Sequence, residues 1–250
     1  MTHIHRQPDA WALSRTPRIA FAAVWIASAS IAPVLAGAVV SLNPKATFIK
    51  VNSDSALAST ALDLASLGIA PGDRIEIGQT GDLDFGPGGD DGHSLIGVFS
   101  ASPTLLGPTV LHRVPDAIDA GVDVSTSPTF NGGLRTDVSE DFRIYTAAFP
   151  ADSICVIVPA GATHLFLCPA DTLYQDNTDP DGDWGAFVEL LAPCAADLDG
   201  NGSVNAADLA VLLGGWGSTG VIGTPGDLDC NGTVDAADLA VLLGAWGACG

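Results

Sequence analysis

Basic residues are scarce in this 250-residue chain: nine Lys and Arg stand against 29 Asp and Glu, and the formal net charge is −20. Residues 39–193 carry −15 and residues 194–250 carry −7, whereas residues 1–38 carry +2. Because no basic patch is available to neutralise phosphates, the composition argues against nucleic-acid binding. Asp outnumbers Glu by 26 to 3 and clusters with Gly and Asn, a pattern typical of metal-coordinating loops.

Catalytic signatures are also missing, because the sequence contains no GxSxG, HExxH or CxxC motif. A glycosidase needs only two carboxylates at a suitable separation, and Glu140 with Asp141 is the most visible pair outside the turn motifs. Such a pair more often belongs to a solvated turn. His112 and His164 lack a recognisable Ser or Cys partner motif. We therefore assign no catalytic residue, and an enzyme is the alternative hypothesis.

The N-terminal segment predicts export. Arg6, Arg15 and Arg18 precede an apolar run over 19–40 that ends in small residues, with Ala36-Gly37-Ala38 as an A-x-A cleavage site. The run is long enough to serve instead as a membrane anchor, but Pro33 and the small-residue end favour cleavage. We expect residues 1–38 to be a signal peptide and the protein to be secreted, extracellular or at the cell surface.

Five cysteines in an exported chain predict disulfides with one thiol left over. Cys155 and Cys168 lie on segments predicted to be neighbouring strands. Cys194 and Cys249 flank the C-terminal region, so that a clasp between them leaves Cys230 as the odd thiol. A Cys194–Cys230 pair is the alternative, and the sequence does not decide between them.

The C-terminal region contains a duplication. Residues 197–217 and 227–247 are identical at 17 of 21 aligned positions. Each copy begins with oxygen-bearing residues at positions 1, 3, 5, 7, 9 and 12 and a Gly at position 6, the spacing of an EF-hand-type calcium loop. The predicted ligands of the first loop are Asp197, Asp199, Asn201, the Ser203 carbonyl, Asn205 and Asp208. Those of the second loop are Asp227, Asp229, Asn231, the Thr233 carbonyl, Asp235 and Asp238.

Hard oxygen ligands of this kind suit Ca²⁺ rather than zinc or copper, so we expect one Ca²⁺ in each loop. Val204 and Val234, at position 8 of each loop, are expected to face each other. After each loop, apolar residues recur at helical spacing and predict one buried stripe per helix. The residues of these stripes are Leu209, Leu212, Leu213 and Trp216, then Leu239, Leu242, Leu243 and Trp246.

This arrangement over Pro193–Gly250 resembles the type I dockerin domain, most closely the GC-type variety of secreted bacterial proteins. The resemblance implies a small all-α pair of loop-helix (F-hand) repeats that docks on a cohesin-like or other protein. In cellulosomal dockerins the residues before the last ligand are often Ser-Thr and contact cohesin, whereas this chain has Ala206-Ala207 and Ala236-Ala237.

The region between these segments, 39–192, predicts an antiparallel β-sandwich and thus a mainly β chain. Short apolar runs are separated by Gly, Pro, Asp and Asn. The predicted strands are Arg74 to Ile77, Ser94 to Ser100, Ile154 to Val158, Thr163 to Cys168 and Ala186 to Leu191. Helical spacing over Ala56 to Leu67 predicts one helix or turn. Two acidic loops, 81–93 and 171–185, are candidates for a calcium site at the sandwich rim or are acidic surface turns.

The order of features from about Ala70 to Leu191 resembles the calcium-dependent galactose-binding lectins of bacteria and related galactose-binding-like sandwiches. PGDRIEI, an aromatic in FGP, LFL, an acidic loop, an Asx pair and a closing strand carry the likeness. It implies a third Ca²⁺ held by the Phe85 carbonyl, Asp171, Asp176 and Asn177, with sugar hydroxyls completing the shell. Leu173 stands where a Thr ligand is expected. Trp184 either stacks on a sugar ring or packs at the strand start.

These observations predict a secreted, non-catalytic calcium-binding protein whose sandwich binds carbohydrate and whose C-terminal module attaches it to a partner. Two alternatives fit the same sequence features. The first is a dockerin-bearing glycoside hydrolase, and the second is a structural cell-surface component without a ligand.

Overall fold

The computed structural model describes residues 37–51, 54–86, 92–121, 130–131, 134–135, 138–146, 153–191, 194–219 and 225–249. Contacts divide the chain into Met1–Val34, which lies outside the described residues, and Leu35–Gly250. Residues 1–36 of the expected signal peptide therefore lie outside the described part of the chain. Gly37 and Ala38 are described, and they begin a strand.

The described chain is mainly β, as the alternation of apolar runs and turn residues predicts. The strands are β1 (Gly37–Ser41), β2 (Ala46–Thr47), β3 (Leu57–Ala58), β4 (Ala61–Asp63), β5 (Arg74–Thr80), β6 (Ser94–Ser100), β7 (Ala117–Ile118), β8 (Phe130–Asn131), β9 (Leu134–Arg135), β10 (Phe142–Thr146), β11 (Ser153–Ile157), β12 (His164–Cys168), β13 (Gly185–Leu190), β14 (Ser203–Val204) and β15 (Gly247–Ala248). The helices are α1 (Ala206–Gly214) and α2 (Ala236–Gly244), with 3-10 turns at Ala65–Leu67 and Tyr174–Asp176.

Two antiparallel sheets form the body of the protein. One has the order β1-β13-β5-β11, and the other has the order β10-β6-β12-β4 with β7 added beside β6. Both sheets contribute to one buried cluster. Its members include Ile75, Ile77, Val156 and Val188 from the first sheet and Leu95, Phe99, Leu165 and Leu167 from the second. Since successive strand residues point to opposite faces, these alternate positions define the inner faces of the two sheets.

The second sheet is covered on its outer face as well. All seven residues of β6 are buried. Ile96 and Val98 point away from the shared core and join a second cluster with Phe48, Val114 and Phe166. A strand that is buried on both faces has no polar alternation, which explains the uninterrupted apolar pattern of this segment.

The predicted helix or turn at Ala56 to Leu67 is mostly extended. Leu57–Ala58 pairs in parallel with β2, and Ala61–Asp63 pairs with β12, so that only Ala65–Leu67 is helical. The pairing partners of this segment lie elsewhere in the chain, and their hydrogen bonds override its local helical spacing. The five predicted strands all form strands, with ends that differ by a few residues.

The C-terminal repeat unit, 194–219 with 225–249, contains α1 and α2. Leu212 and Leu242 are fully buried in its core with Val204 and Val234. Val204 and Val234 were expected to face each other through a short strand contact between the loops; they share this core, but that strand contact is wrong. The strand β14 of the first loop pairs with β15, which follows α2, and Thr233 of the second loop bridges to Thr219, which follows α1. Each loop thus pairs with the segment that follows the helix of the other repeat.

The structure also corrects the cysteine expectations. Cys155 is bonded to Cys230, and Cys194 is bonded to Cys249 as the clasp predicts. Cys168 is free and buried. Cys230 is therefore not the odd thiol, and a Cys155–Cys168 pair does not form. Cys155 lies in the first sheet, so its disulfide joins that sheet to the C-terminal repeat unit.

Candidate functional site

The first repeat loop brings its predicted carboxylates together. Ligand oxygens of Asp197, Asp199 and Asp208 all lie within 4.8 Å of one another. Asp208 is fully buried, and its two oxygens accept hydrogen bonds from the backbone of Leu198 (2.7 Å), Asp199 (3.1 Å) and Asn205 (2.8 Å). Burial opposes ionisation of Asp208, but these donors outweigh it and lower the pKa of the carboxyl below its usual value. The loop therefore stabilises Asp208 in its charged form.

Other residues of the first loop donate hydrogen bonds to Asp197 and Asp199. Asp197 accepts from the backbone N–H groups of Asn201 (3.0 Å) and Gly202 (2.7 Å). Gly202 has φ of 85°, a left-handed conformation that favours Gly at the sharp turn. The Asn201 amide donates to Asp199 at 2.9 Å, and its oxygen accepts from Ser203 N–H at 3.0 Å. These hydrogen bonds hold the carboxylates of the loop close to one another.

The second loop repeats these contacts residue by residue. Asp227, Asp229 and Asp238 form the corresponding cluster within 4.8 Å. Asp238 accepts from the backbone of Leu228, Asp229 (3.1 Å) and Asp235 (2.7 Å), and Asp227 accepts from Gly232 at 3.0 Å. The pKa of Asp229 is raised, first by burial and then by the charges of Asp238, Asp227 and Asp235. A bound cation would relieve this repulsion.

The last predicted ligands of each loop also begin the following helix. Asn205 caps α1 by accepting from Ala207 N–H at 2.8 Å, and Asp235 caps α2 by accepting from Ala237 N–H at 2.7 Å. Asp208 and Asp238 complete a capping box in each case. The same side chains therefore start the helices and face the loop, so that a cation held in the loop is coupled to helix formation.

The predicted rim residues lie near one another. Asn177 is fully buried, and its amide donates to the Pro44 carbonyl at 3.0 Å, while its Oδ1 has no hydrogen-bond partner among the described residues. Burial raises the pKa of Asp171, a hydrogen bond with the Asn177 side chain lowers it, and the charge of Asp176 raises it. The rim thus contains an unpartnered acceptor beside two carboxylates, which suits a hard cation.

The first acidic loop reaches the same rim. Asp84 and Thr178 exchange backbone hydrogen bonds of 2.8 and 3.0 Å, which join the first loop to the second. A Cβ atom built on Gly86 lies 3.4 Å from Asp176 Oδ2, so the backbone next to Phe85 passes close to that carboxylate. The Phe85 side chain is 40 % exposed. Residues 87–91 of this loop lie outside the described part of the chain.

Three features of the acidic loops differ from the sequence interpretation or were missed by it. Trp184 is fully buried, so it packs in the core and does not stack on a sugar. A further carboxylate cluster within 4.8 Å joins Asp179, Asp181 and Asp183. The alternate Asp residues of DPDGD are its sequence signal. Asp54 accepts from the backbone N–H groups of Tyr174 (2.7 Å) and Gln175 (3.0 Å), a long-range contact that no local pattern reveals.

Two of the side chains considered for catalysis contact residues next to them in the chain. Glu140 accepts from the neighbouring Ser139 hydroxyl at 2.9 Å. His164 lies at a strand start, and its Nδ1 is 2.8 Å from the Thr163 hydroxyl. These are local contacts of the kind that turns and strand ends make.

The helices of the repeat unit are short and half exposed. Among the described residues, no helix combines the length and apolar character needed to cross a membrane. Comparison with known proteins found no matching family model, no matching curated protein and no matching solved structure.

Proposed function

We propose that this protein is a secreted, non-catalytic calcium-binding protein that attaches to a partner protein through its C-terminal repeat unit. The observation that carries the proposal is the convergence of the carboxylates in both repeat loops, with all six predicted positions of each loop bearing oxygen donors. Oxygen-only donor sets at this spacing favour Ca²⁺. The ions belong to Asp197, Asp199, Asn201, Ser203, Asn205 and Asp208, and to their counterparts at positions 227–238.

The repeat unit is proposed to be a dockerin-like docking module. Leu213, Trp216, Leu243 and Trp246 were expected to pack in its core, but each is 46–52 % exposed, and Val211 and Val241 are exposed as well. The only charged residues within α1 and α2 are the buried Asp208 and Asp238. Two apolar helix faces of this kind, one per repeat, support docking on a cohesin-like or other protein with an apolar surface.

The two-sheet body is proposed to hold a third Ca²⁺ at the rim and to bind carbohydrate there. The unpartnered Oδ1 of buried Asn177, next to Asp171 and Asp176, supports the cation site. Sugar hydroxyls would complete the shell of an ion held there.

Isothermal titration of the cation-free protein with Ca²⁺ tests the binding part of the proposal. We expect three sites in the wild type and two in Asp171→Asn. Two sites in both proteins would favour a structural body without a rim ligand. A glycan array with and without EGTA then tests sugar binding, for which calcium-dependent signal is expected. Calcium-independent release of reducing ends from a polysaccharide would overturn the non-catalytic proposal.

Docking is tested with a panel of purified cohesin modules in the presence of Ca²⁺. We expect Leu213→Asp combined with Leu243→Asp to lose binding, because a carboxylate on each apolar face cannot be buried unpaired. Leu106→Asp combined with Leu111→Asp, which makes the same change at exposed leucines of the body, is the matched control. Undiminished binding by the helix variant would mean that the partner contacts another surface.

A further inference from the structure

The two repeat loops are nearly identical in sequence but differ in their surroundings. Asp227 and Cys230 of the second loop are buried, whereas the equivalent Asp197 is half-buried and Gly200 is exposed. The difference arises because the second loop lies against the outer face of the β1-β13-β5-β11 sheet. Cys155 on β11 is bonded to Cys230, the residue at position 4 of this loop.

Arg74 on β5 lies at the same contact. Its Nη2 donates to the Asp227 carbonyl at 2.6 Å, and its Nε donates to Cys230 Sγ at 3.1 Å. Burial lowers the pKa of the Arg74 guanidinium, and the negative charges of Asp227, Asp238 and Asp229 oppose that shift. The guanidinium is thus close enough to interact with three of the four carboxylates of the second loop.

The charges of the two loops differ by one. The first loop has three carboxylates among its predicted ligands, Asp197, Asp199 and Asp208, with Asn205 at position 9. The second loop has four, because Asp235 replaces that Asn. With Arg74 beside it, the second loop returns to the same net charge of −3 as the first loop.

Cys230 shows that this contact imposes a backbone constraint on the loop. It has φ of 62°, in the left-handed region where its counterpart Gly200 has 73°. Residues other than Gly and Asn are unfavourable in this region, but the disulfide requires a Cys at this position. Cys230 therefore has an unfavourable backbone conformation, and its disulfide bonds the loop to the sheet that carries Arg74.

We propose that Arg74, held at the second loop by the Cys155–Cys230 disulfide, offsets the additional negative charge of that loop and weakens cation binding there alone. A guanidinium next to a divalent ion repels it, and this repulsion adds to the free energy of the occupied loop but not of the empty one. The inference rests on the proposed calcium-binding function of both loops.

Nuclear magnetic resonance of the full mature chain tests it, because each loop has its own reporter. The Gly202 amide donates to Asp197 and the Gly232 amide donates to Asp227, so their resonances follow the two loops separately during a Ca²⁺ titration. In Arg74→Gln we expect the apparent Kd at Gly232 to fall by roughly tenfold while the Kd at Gly202 stays within about twofold. Arg74→Lys, which keeps the charge, is expected to resemble the wild type.

A second variant pair tests the disulfide. Cys155→Ala with Cys230→Gly gives the second loop the residue of the first at position 4. In that background we expect Arg74→Gln to change the Kd at Gly232 by less than about twofold, because the guanidinium is no longer held at the loop. An unreduced tenfold effect would overturn the role of the disulfide.

The outcomes separate the inference from the function on which it rests. If neither glycine amide responds to Ca²⁺, the proposed calcium function fails. If both respond but Arg74→Gln leaves the Kd at Gly232 unchanged or weakens binding there, the function stands and the inference is wrong. A tenfold effect that shrinks with rising salt supports it, since screening weakens the repulsion.

Discussion

Cys194 and Cys249 are joined by a disulfide whose Cα atoms lie 5.7 Å apart, across a sequence separation of 55 residues. The bond closes the repeat unit next to the pairing of β14 with β15, where Cys249 N–H also donates to the Gly202 carbonyl at 3.1 Å. The C-terminal end of the unit is thus fastened to the first loop.

Removal of this clasp should destabilise the repeat unit. Cross-linking over a separation of this length lowers the entropy of the unfolded chain, and its loss costs about 4 kcal/mol in the chain-entropy model. We expect Cys194→Ala with Cys249→Ala to lower the free energy of unfolding by about that amount, measured from the helical circular dichroism signal during denaturation in Ca²⁺. An unchanged free energy would show that the clasp adds no stability.

Cys168 should be unreactive in the folded protein. The thiol is fully buried beside the Thr47 hydroxyl at 3.5 Å, and burial raises its pKa to about 12. We expect Ellman's reagent to detect no thiol in the native protein at pH 8 and one per chain after unfolding in guanidinium. Three thiols per unfolded chain would contradict the Cys155–Cys230 bond.

The repeat loops should be required for calcium-induced helix formation. Asp197 and Asp227 each accept two backbone hydrogen bonds at loop position 1. We expect Asp197→Ala with Asp227→Ala to abolish the gain of helical circular dichroism on addition of Ca²⁺. Asp116→Ala with Asp119→Ala, which removes the same charge from the body, should retain that gain. Helicity that still responds in the loop variant would refute the ligand assignment.

Asp171 should destabilise the folded protein when no cation is bound. Its folded pKa is raised by burial, so the charged form is less favourable in the folded state than in the unfolded state. This cost is present above the folded pKa and disappears as the pH falls through it to below the unfolded pKa. In EGTA we therefore expect Asp171→Asn to melt at a higher temperature than the wild type at pH 7, with the difference shrinking towards pH 4.

In Ca²⁺ at pH 7 the order should reverse, because the wild type then gains the binding free energy of the rim ion and the variant does not. Glu140→Gln, which removes a charge from a turn, is the control. A variant that melts below the wild type in EGTA would show that Asp171 is stabilising without a cation.

Features that depend on neighbouring residues in the chain were predictable from the sequence. The three carboxylates of the first loop lie within 12 residues, so their spacing alone brings them together. β5 and β6 follow from short apolar runs between turn residues. In each case the interactions that decide the structure are local or follow from the side-chain period of a strand.

Other features depend on distant residues and were not predictable. Cys230 pairs across 75 residues with Cys155, and no local pattern specifies that partner. The helix sequence AADLAVLLG, shared by α1 and α2, has no polar outer face. Its periodicity therefore does not reveal that Leu212 is buried while Leu213 is half exposed. That choice depends on how the two repeats pack against each other.

The Cys155–Cys230 bond also determines what proteolysis can release. It connects the two-sheet body to the repeat unit at a point well beyond the segment 191–194 that joins them along the chain. A protease that cuts within that segment produces two polypeptides that still migrate as one molecule on a non-reducing gel. Cleavage between the body and the repeat unit therefore does not release the body until a reductant breaks the second connection.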